Sequence, residues 1–465
     1  MDTEFQRDWA GKRVAVIGLG ISNLALIRFL KKVGATLSGR DCKTGPELGE
    51  RLDELQSLGI ELVLGPDYLA GLEDFDVVVV SPGVPKRLPE LQHVGRLGRL
   101  ESEIGLVFRY SRAPIYGITG SSGKTTTTSL VGEMLKKSGI STSVGGNIGT
   151  PLILEIEHLG PEDHVLLELS SFQLEGLQQS PHGALITNIR PNHLDVHHTM
   201  EAYIGAKRNI YQHQTHHDFV VLNYDDPVTR AMAGEAKGRV FFFSLASKVI
   251  PGAYLQGDDL IYADENGQVV FAQRSQLILP GNHNVANFLA AAVFSHASGA
   301  TWTAITEVGR SFAGVAHRLE LVGEVNGVRY YNDSIATTPD RTMAALEAFA
   351  APIILIAGGS DKQLSFAELG QAISGQVKHL ILLGTTAAKI RQAVLDAGGV
   401  SLELVEHLGE AVALAGNLAA PGDVVLLSPA SASYDQYPNF MARGDHFRGL
   451  VEDLNKENKP GGRKL

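Results

Sequence analysis

Short apolar runs recur along the chain, each closed by small or turn-forming residues and followed by a stretch with apolar residues at helical spacing. Arg13-Val-Ala-Val-Ile17 is the first, stopped by Gly18, and Leu24 to Val33 then predicts a helix that Gly34 ends. A second run lies near Ala35 to Leu37 and a third at Val77 to Val80, closed by Ser81-Pro82-Gly83. Strand, helix, strand in that order predicts a parallel sheet with right-handed crossovers. The pattern restarts near Pro114. Ile115 to Ile118 predicts a strand, Gly120 to Gly123 a turn, and Thr125 to Lys137 a helix striped by Leu130, Val131, Met134 and Leu135. Val165 to Leu169 and Ala184 to Asn188 predict further buried strands. From Phe241 to Leu279 the period shortens to alternating runs around Asp-Glu-Asn-Gly, which predicts a small antiparallel insertion of hairpins. Gly281 to Ser295 returns to helix. A third segment opens at His317-Arg318, with strands at Ile353 to Ala357, Leu380 to Leu383 and Val424 to Leu427. In open α/β sheets ligands sit beyond the carboxyl ends of such strands, so the loops there are the candidate contacts.

Composition narrows the class. With 465 residues the chain exceeds one ordinary core and suggests about three domains. Hydrophobic residues at 44% and charged ones at 20% exclude a disordered chain. A formal net charge of -11 speaks against sequence-independent nucleic-acid binding, which needs a basic face, but leaves room for a local cationic pocket. The single cysteine, Cys42, excludes an intrachain disulfide and a Cys-rich zinc site, and fits a reducing compartment. Residues Met1 to Lys12 lack the apolar core of a signal peptide, and no apolar run approaches a membrane span. The expectation is a cytoplasmic protein that binds neither nucleic acid nor membrane, and a monomer, since no heptads appear.

The strongest local motif is Thr119-Gly-Ser-Ser-Gly-Lys-Thr125, between a strand and a helix. Ile118 stands where the strict P-loop has its first glycine. The working parts are still there. Gly120 and Gly123 let backbone N–H groups, with Ser121 and Ser122, turn onto phosphate oxygens at a helix N-terminus. Lys124 can reach β- and γ-phosphates, and Thr125 can ligate Mg²⁺. The bland alternative is an accidental Gly-Lys-Thr turn.

The remaining motifs are weaker singly. Gly18-Leu-Gly20 lacks the third glycine of a dinucleotide fingerprint, where Asn23 stands, although Asp41 lies at the distance of a ribose-binding acid. A phosphate-binding turn and a dehydrogenase site both fit it. Glu168, past a strand end, is placed to hold Mg²⁺ or is simply a solvated loop carboxylate. Asn188 to His193 and Asp195 follow another strand, and His193 could orient a water or ligate a metal. His213, His216 and His217 lack a metal-binding pattern and read as a wet helix face. Lys207 alone reads as a surface lysine. Asn284 and Asn287, one helical turn apart, could present two amides to adenine or phosphate. Asp333 could hold a ribose hydroxyl, and Arg318, Arg341 and Lys362 could meet a second anionic substrate.

Taken in order, the motifs resemble the Mur ligases. They are Thr119 to Thr126, Gly145-Gly-Asn-Ile-Gly149, Glu168 to Leu174, Asn188 to His193, Gly281 to Asn287, His317-Arg318 and Asn332-Asp-Ser334, and they span essentially the whole chain. Glu168-Leu-Ser-Ser-Phe-Gln-Leu174 and Ser428-Pro-Ala-Ser-Ala-Ser-Tyr-Asp-Gln436 look like the branch that joins glutamate to UDP-N-acetylmuramoyl-L-alanine. The resemblance implies an α/β fold of three domains. Residues 1–103 would be Rossmann-like and bind the UDP substrate. Residues 104–314 would be a P-loop ATPase-like parallel sheet. Residues 315–465 would be Rossmann-like, closing over ATP and binding glutamate. It implies an ADP-forming amide ligase of peptidoglycan precursor synthesis, working through an acyl phosphate with ATP and two Mg²⁺ sites.

The same resemblance implies roles. Residues Gly120 to Thr126 with Asn284, Asn287, Arg318 and Asp333 would bind ATP. Thr125, Glu168, His193 and a carbamylated Lys207 would hold metal, with Lys124, His193 and Lys207 catalytic. Gly18, Ile21, Ser22, Ser81, Pro82 and Gly83 would cradle UDP. Asn147 and Ser170 would hold the muramoyl group, and Lys362, Ser433 and Phe440 the glutamate. Where many members of this branch have Asn-Asp-Ser-Lys, the chain has Ile335, so D- and L-glutamate both remain open. A folylpolyglutamate-synthetase-like ligase is the nearest alternative. A P-loop kinase or switch and a non-catalytic NAD-binding protein are the alternatives of another class.

Overall fold

The structure, a computed structural model, describes residues 3–149, 151–279, 281–361 and 364–457. Three sheets carry the fold. The first runs β1 (Arg13–Ile17), β2 (Thr36–Asp41), β3 (Glu61–Leu64), β4 (Val77–Val80) and β5 (Leu100–Glu101), all parallel, in spatial order 3-2-1-4-5. Period-two alternation splits its strands between two faces. Val14, Val16 and Val79 pack with Leu26 and Leu30, whereas Ala15, Ile17, Val78 and Val80 pack with Leu72, Leu91 and Val94. The order reverses between β1 and β4, and that switch point is where an open sheet offers a crevice for ligand.

The second sheet has nine strands: β6 (Ile115–Thr119), β7 (Thr142–Gly146), β8 (His164–Glu168), β9 (Gly183–Ile186), β10 (Phe219–Asn223), β11 (Arg239–Ser244), β12 (Gly252–Gln256), β13 (Asp259–Asp264) and β14 (Gly267–Gln273). Their spatial order is 14-13-12-11-10-9-6-8-7. The expected hairpins are present, since β12, β13 and β14 pair antiparallel. They are not a separate insertion, because β12 pairs parallel with β11 and so prolongs the main sheet. Gly252 permits this contact. A Cβ there would stand 1.9 Å from the Phe242 carbonyl oxygen.

The third sheet holds β15 (Glu320–Val325), β16 (Val328–Asn332), β17 (Ile353–Gly358), β18 (Val377–Leu383), β19 (Leu402–Leu404) and β20 (Val424–Leu427), in spatial order 15-16-20-17-18-19. Only the β15–β16 pair is antiparallel. Apolar clusters cover both faces, one around Leu355, Leu380 and Leu426 and one around Ile354, Ile381 and Val425.

The chain forms two compact units. One comprises Met1–Leu277 with Asn282–Ser311, so the first two sheets share a unit and a continuous core. The other comprises Ile278–Gly281 with Phe312–Leu465. No described helix is long and apolar enough to cross a membrane. The three clustered histidines do not lie on a helix face as expected. His213 caps the end of the Met200–Gln212 helix, and His216 and His217 follow it in an exposed turn.

Candidate active site

The glycine-rich loop leaves β6 and enters the Lys124–Lys137 helix with Gly123 in the left-handed region, φ 79°. Both loop glycines are required by close approach. A Cβ at Gly120 would stand 1.8 Å from Thr187 Oγ1, and one at Gly123 would stand 2.4 Å from Asn287 Oδ1. Asn188 fixes the loop from outside. Its Oδ1 accepts from the Ser122 N–H and hydroxyl at 3.1 and 3.2 Å, and its Nδ2 donates to the Ser122 carbonyl at 3.1 Å. Ser121 Oγ donates to the Arg190 carbonyl and meets the Tyr203 hydroxyl, both at 2.9 Å. Lys124 Nζ lies over its own loop, donating to the carbonyls of Gly120 and Ser121 at 3.0 and 3.3 Å. Thr125 and Thr126 stand half-buried on the first helical turn. The arrangement is a rigid, N–H-lined cradle at a helix N-terminus, with the lysine at hand for a polyphosphate.

Two ionisable groups lie behind that cradle. Glu168 ends β8 and is 1% exposed. Its Oε1 accepts from Asn147 Nδ2 at 2.9 Å, while its buried Oε2 has no hydrogen-bond partner among the described residues. An orphaned carboxylate oxygen is costly unless a cation meets it, so this atom fits a Mg²⁺ ligand. Gly146 makes the approach possible, since a Cβ there would reach 2.3 Å from the Glu168 carbonyl. Lys207, on the Met200–Gln212 helix, is also 1% exposed. Its Nζ donates to Thr119 Oγ1 at 3.1 Å and to the Gly120 carbonyl at 2.9 Å, and lies 4.9 Å from the Tyr203 ring centroid. Burial and then the neighbouring Lys124 charge pull its pKa well below the ordinary lysine value, with Glu168 opposing. Its expected reading by position alone, a surface lysine, is therefore wrong. The helix face that carries it packs against β6, with Ala206 and Ile210 beside it in the core.

His193 caps the short Leu194–His197 helix with φ 54°, a strained conformation for histidine. Its exposed ring meets Phe172 edge-on at 5.1 Å. Phe172 also stacks on His197 at 5.1 Å, and His197 Nε2 contacts Ser171 Oγ at 2.9 Å. The Asp195 side chain lies outside the described residues. Ser170, expected at the substrate, caps the Ser171–Leu174 helix in a capping box with Gln173. Among the described residues no group of three His, Cys, Asp or Glu side chains is placed to hold a metal ion. Glu168 is thus the carboxylate this cradle offers.

The first sheet builds its own crevice. Gly18 (φ 83°) is packed so that a Cβ would stand 2.8 Å from Ser81 Cβ, which brings the two glycine-containing turns together. Asn23, in the place of the missing third glycine, donates from Nδ2 to the carbonyls of Ile17 and Gly18 at 3.1 and 2.8 Å. It fixes the turn by hydrogen bonds, where the fingerprint glycine would allow close helix packing. Asp41 spends both oxygens on the N–H groups of Leu19 and Lys43. Ser22 and Pro82 line a small cavity with Glu103 and with Phe172 and Gln173 of the Ser171–Leu174 helix. Burial raises the Glu103 carboxyl to about 7. The Ile21 side chain lies outside the described residues, although its backbone starts the Ile21–Lys32 helix.

In the second unit Asp333 follows β16 and is 5% exposed. Its Oδ2 accepts from Ser428 Oγ at 2.8 Å and its Oδ1 from the Leu319 N–H at 3.2 Å. Burial outweighs these bonds and the charges of Arg318 and Arg341, lifting the carboxyl to about 7. Ser433 is buried, and the Phe440 carbonyl accepts from Ser334 Oγ at 2.8 Å. Arg443, which no sequence pattern indicated, joins these loops. Its guanidinium donates to Ser334 Oγ and carbonyl and to the carbonyls of Ser431 and Ala432. The position proposed for Lys362 lies outside the described residues.

The raised Asp333 carboxyl has a measurable consequence. Between about pH 4 and 7 the unfolded chain has released a proton that the native chain keeps, so stability falls as pH rises through that window, by up to about 1.4 kcal/mol per pH unit. Asp333→Asn should flatten that slope in denaturant titrations at pH 5 and pH 7.5. An unchanged slope would refute a neutral Asp333.

A phosphate cradle at a helix N-terminus, backed by a buried carboxylate with one oxygen that lacks a partner among the described residues, is the geometry of an enzyme site for a polyphosphate and its cation. Family models for the Mur ligase MurD-like N-terminal domain, the Mur ligase middle domain and the Mur ligase glutamate ligase domain match residues 12–99, 118–295 and 317–431. The chain belongs to the Mur ligase family, as its motifs led us to expect. It is 48% identical over 449 residues to the UDP-N-acetylmuramoylalanine--D-glutamate ligase of Symbiobacterium thermophilum, covering 95% of this chain and 98% of that protein. The enzyme of the same name from Acetivibrio thermocellus is 42% identical over 459 residues, covering 97% and 98%. Among solved structures, UDP-N-acetylmuramate-alanine ligase of Thermotoga maritima shares the fold, with a TM-score of 0.57 at 20% identity over 95% of this chain and 99% of that one.

Proposed function

We propose that the protein joins D-glutamate to UDP-N-acetylmuramoyl-L-alanine, hydrolysing ATP to ADP and phosphate, in peptidoglycan precursor synthesis in the cytoplasm. Similarity over nearly the full length of the two D-glutamate ligases carries this reading. The three matched segments support three working domains, 1–103 for the UDP substrate, 104–314 for ATP and 315–465 for glutamate. The enzyme acts as a monomer, without nucleic acid or membrane.

A carboxylate does not condense with an amine in water at a useful rate. In the reaction the terminal alanine carboxylate attacks the γ-phosphorus of ATP, and the bond to the β-phosphate oxygen breaks to release ADP. The glutamate amine then attacks the acyl phosphate carbon, sheds a proton, and phosphate leaves. The loop N–H groups and Lys124 hold the polyphosphate and offset the charge on the phosphoryl group in flight. Thr125 and Glu168 would hold Mg²⁺, with His193 near a second ion, and these cations supply charge neutralisation at the phosphates. Lys207 is the candidate for carbamylation. Its neutral amine would bond to the carbon of CO₂ and release one proton, replacing a buried cation with an anionic ligand beside Glu168. Asn147 and Ser170 hold the muramoyl group, and the Gly18–Ser22 and Ser81–Gly83 turns hold UDP. By the family resemblance, Asn284, Asn287, Arg318 and Asp333 are the residues assigned to the nucleotide, and Ser433, Phe440 and Lys362 those assigned to glutamate.

The test is phosphate release from ATP with UDP-N-acetylmuramoyl-L-alanine, adding D- or L-glutamate separately. Release that needs the nucleotide-sugar and D-glutamate is expected. Preference for L-glutamate would reassign the acceptor, a point at which Ile335 departs from the usual lysine. Release with neither would end the ligase reading.

A further inference from the structure

The loop after β4 does more than carry Ser81-Pro82-Gly83. Its next residues are Val84-Pro85-Lys86-Arg87-Leu88. Two successive turns stiffen it, Val84 N–H to the Ser81 carbonyl at 3.0 Å and Leu88 N–H to the Pro85 carbonyl at 3.2 Å. Two adjacent cations then leave the first sheet and reach the second. Lys86 Nζ donates to the carbonyls of Phe172 (3.5 Å) and Glu175, at the end of the Ser171–Leu174 helix. Arg87 Nη1 donates to the Val196 carbonyl at 2.7 Å and meets the His198 ring, at the end of the Leu194–His197 helix.

Each cation thus satisfies orphan carbonyls at the C-terminal end of a one-turn helix. The opposite ends of those two helices begin with Ser170 and His193, the residues that the proposed function assigns to substrate and cation. Phe172 joins the pair, packing on His193 and on His197. A helix of four residues is only about 6 Å long, so a shift at its last carbonyl displaces its cap directly. Lys86 is half-buried, and burial lowers its pKa against the charges of Glu175 and Glu101, while its ammonium also donates to the two carbonyls.

We propose that Lys86 and Arg87 are positioning residues that couple occupancy of the UDP crevice to the placement of His193 and Ser170. Both are bonded to protein acceptors. Binding of UDP shifts the stiff Ser81–Leu88 loop as a unit, and the two cations set the strained His193 cap in its working position. Remote binding energy is thereby used in turnover rather than in affinity. This rests on the proposed function for the UDP crevice, for the roles of His193 and Ser170 and for the kinetic readout.

The experiment follows the full-length protein labelled at histidine Cε1, with the His193 resonance assigned through His193→Gln. UDP alone should shift that resonance in the wild type. In Lys86→Ala/Arg87→Ala the shift should vanish while UDP affinity stays within about threefold. With full substrates, kcat should fall about tenfold or more while KM for ATP and for the nucleotide-sugar stays within about twofold. Arg87→Lys, which restores one donor, should recover part of kcat. A double variant that keeps the UDP-dependent shift, or loses turnover through KM alone, overturns the coupling, as does a wild type without the shift. A wild type that shows the shift but no turnover overturns the ligase reading and leaves the coupling standing.

Discussion

Lys207→Ala should lower the ligation rate by about three orders of magnitude, with little loss of folded protein. The residue is too buried to serve as an ordinary cation. It lies behind the phosphate loop, its charge repelled by Lys124, with a pKa held well below the usual lysine range. Such an amine is neutral over a wider pH range than an ordinary lysine, and only the neutral form adds CO₂. With Lys207 carbamylated as proposed, protonation of the amine as pH falls would cost the carbamate, so activity should drop on the acid side and recover with added bicarbonate. Lys207→Arg keeps the positive charge but cannot form a stable carbamate. It should be as inactive as the alanine variant. The measurements are initial rates of phosphate release in CO₂-depleted buffer with and without bicarbonate, and a carbamate carbon resonance after exposure to ¹³C-bicarbonate. Appreciable activity of Lys207→Arg would show that the residue acts only as a cation.

What could be read from the chain was local. Strands β1, β2, β4, β6, β8, β9, β17, β18 and β20, the phosphate loop and the helices that follow β1, the loop and Gly281 come from apolar period and turn residues, because those signals lie within a dozen positions of one another, whereas β3, β5, β7, β10, β15, β19 and the Phe440–Glu457 helix were not anticipated. The bounds of the anticipated elements moved by a few residues at most, as with β2, which extends to Asp41 rather than ending at Leu37. The hairpin segment was read correctly as antiparallel but not as part of the main sheet. That outcome hinges on the close approach of Gly252 to Phe242, which no local pattern encodes. Site chemistry was less legible wherever it depends on distant partners. Lys207 has no motif of its own, and its burial comes from packing against β6, 88 residues away by way of Thr119. Asn23 looked like a defect in a glycine fingerprint, yet it is the residue that ties the turn. Arg443 and the Lys86–Arg87 pair are invisible for the same reason, since a basic residue in a loop reads as solvated until its acceptors are known. Burial of Asp333 likewise comes from Ser428, 95 positions on.

Glu168→Gln should be nearly as damaging as loss of Lys207, and for a reason that separates chemistry from folding. The substitution preserves shape. The amide oxygen can still accept from Asn147 Nδ2, so the link between the β7 and β8 loops survives. The other terminal atom changes from an acceptor without a partner to an NH₂ donor. A donor cannot ligate a cation, and the negative charge opposite Lys207 and Lys124 disappears as well. We expect kcat to fall by about two to three orders of magnitude, with a higher Mg²⁺ requirement and an unfolding midpoint within about 1 kcal/mol of wild type. The sign of the stability change is informative by itself. Removing the charge of a buried carboxylate whose second oxygen lacks a partner among the described residues relieves a desolvation cost, whereas removing its attraction for Lys207 adds one. A variant of unchanged activity and unchanged Mg²⁺ dependence would show that the orphaned oxygen is a structural accident and that the cation is held elsewhere in the cradle.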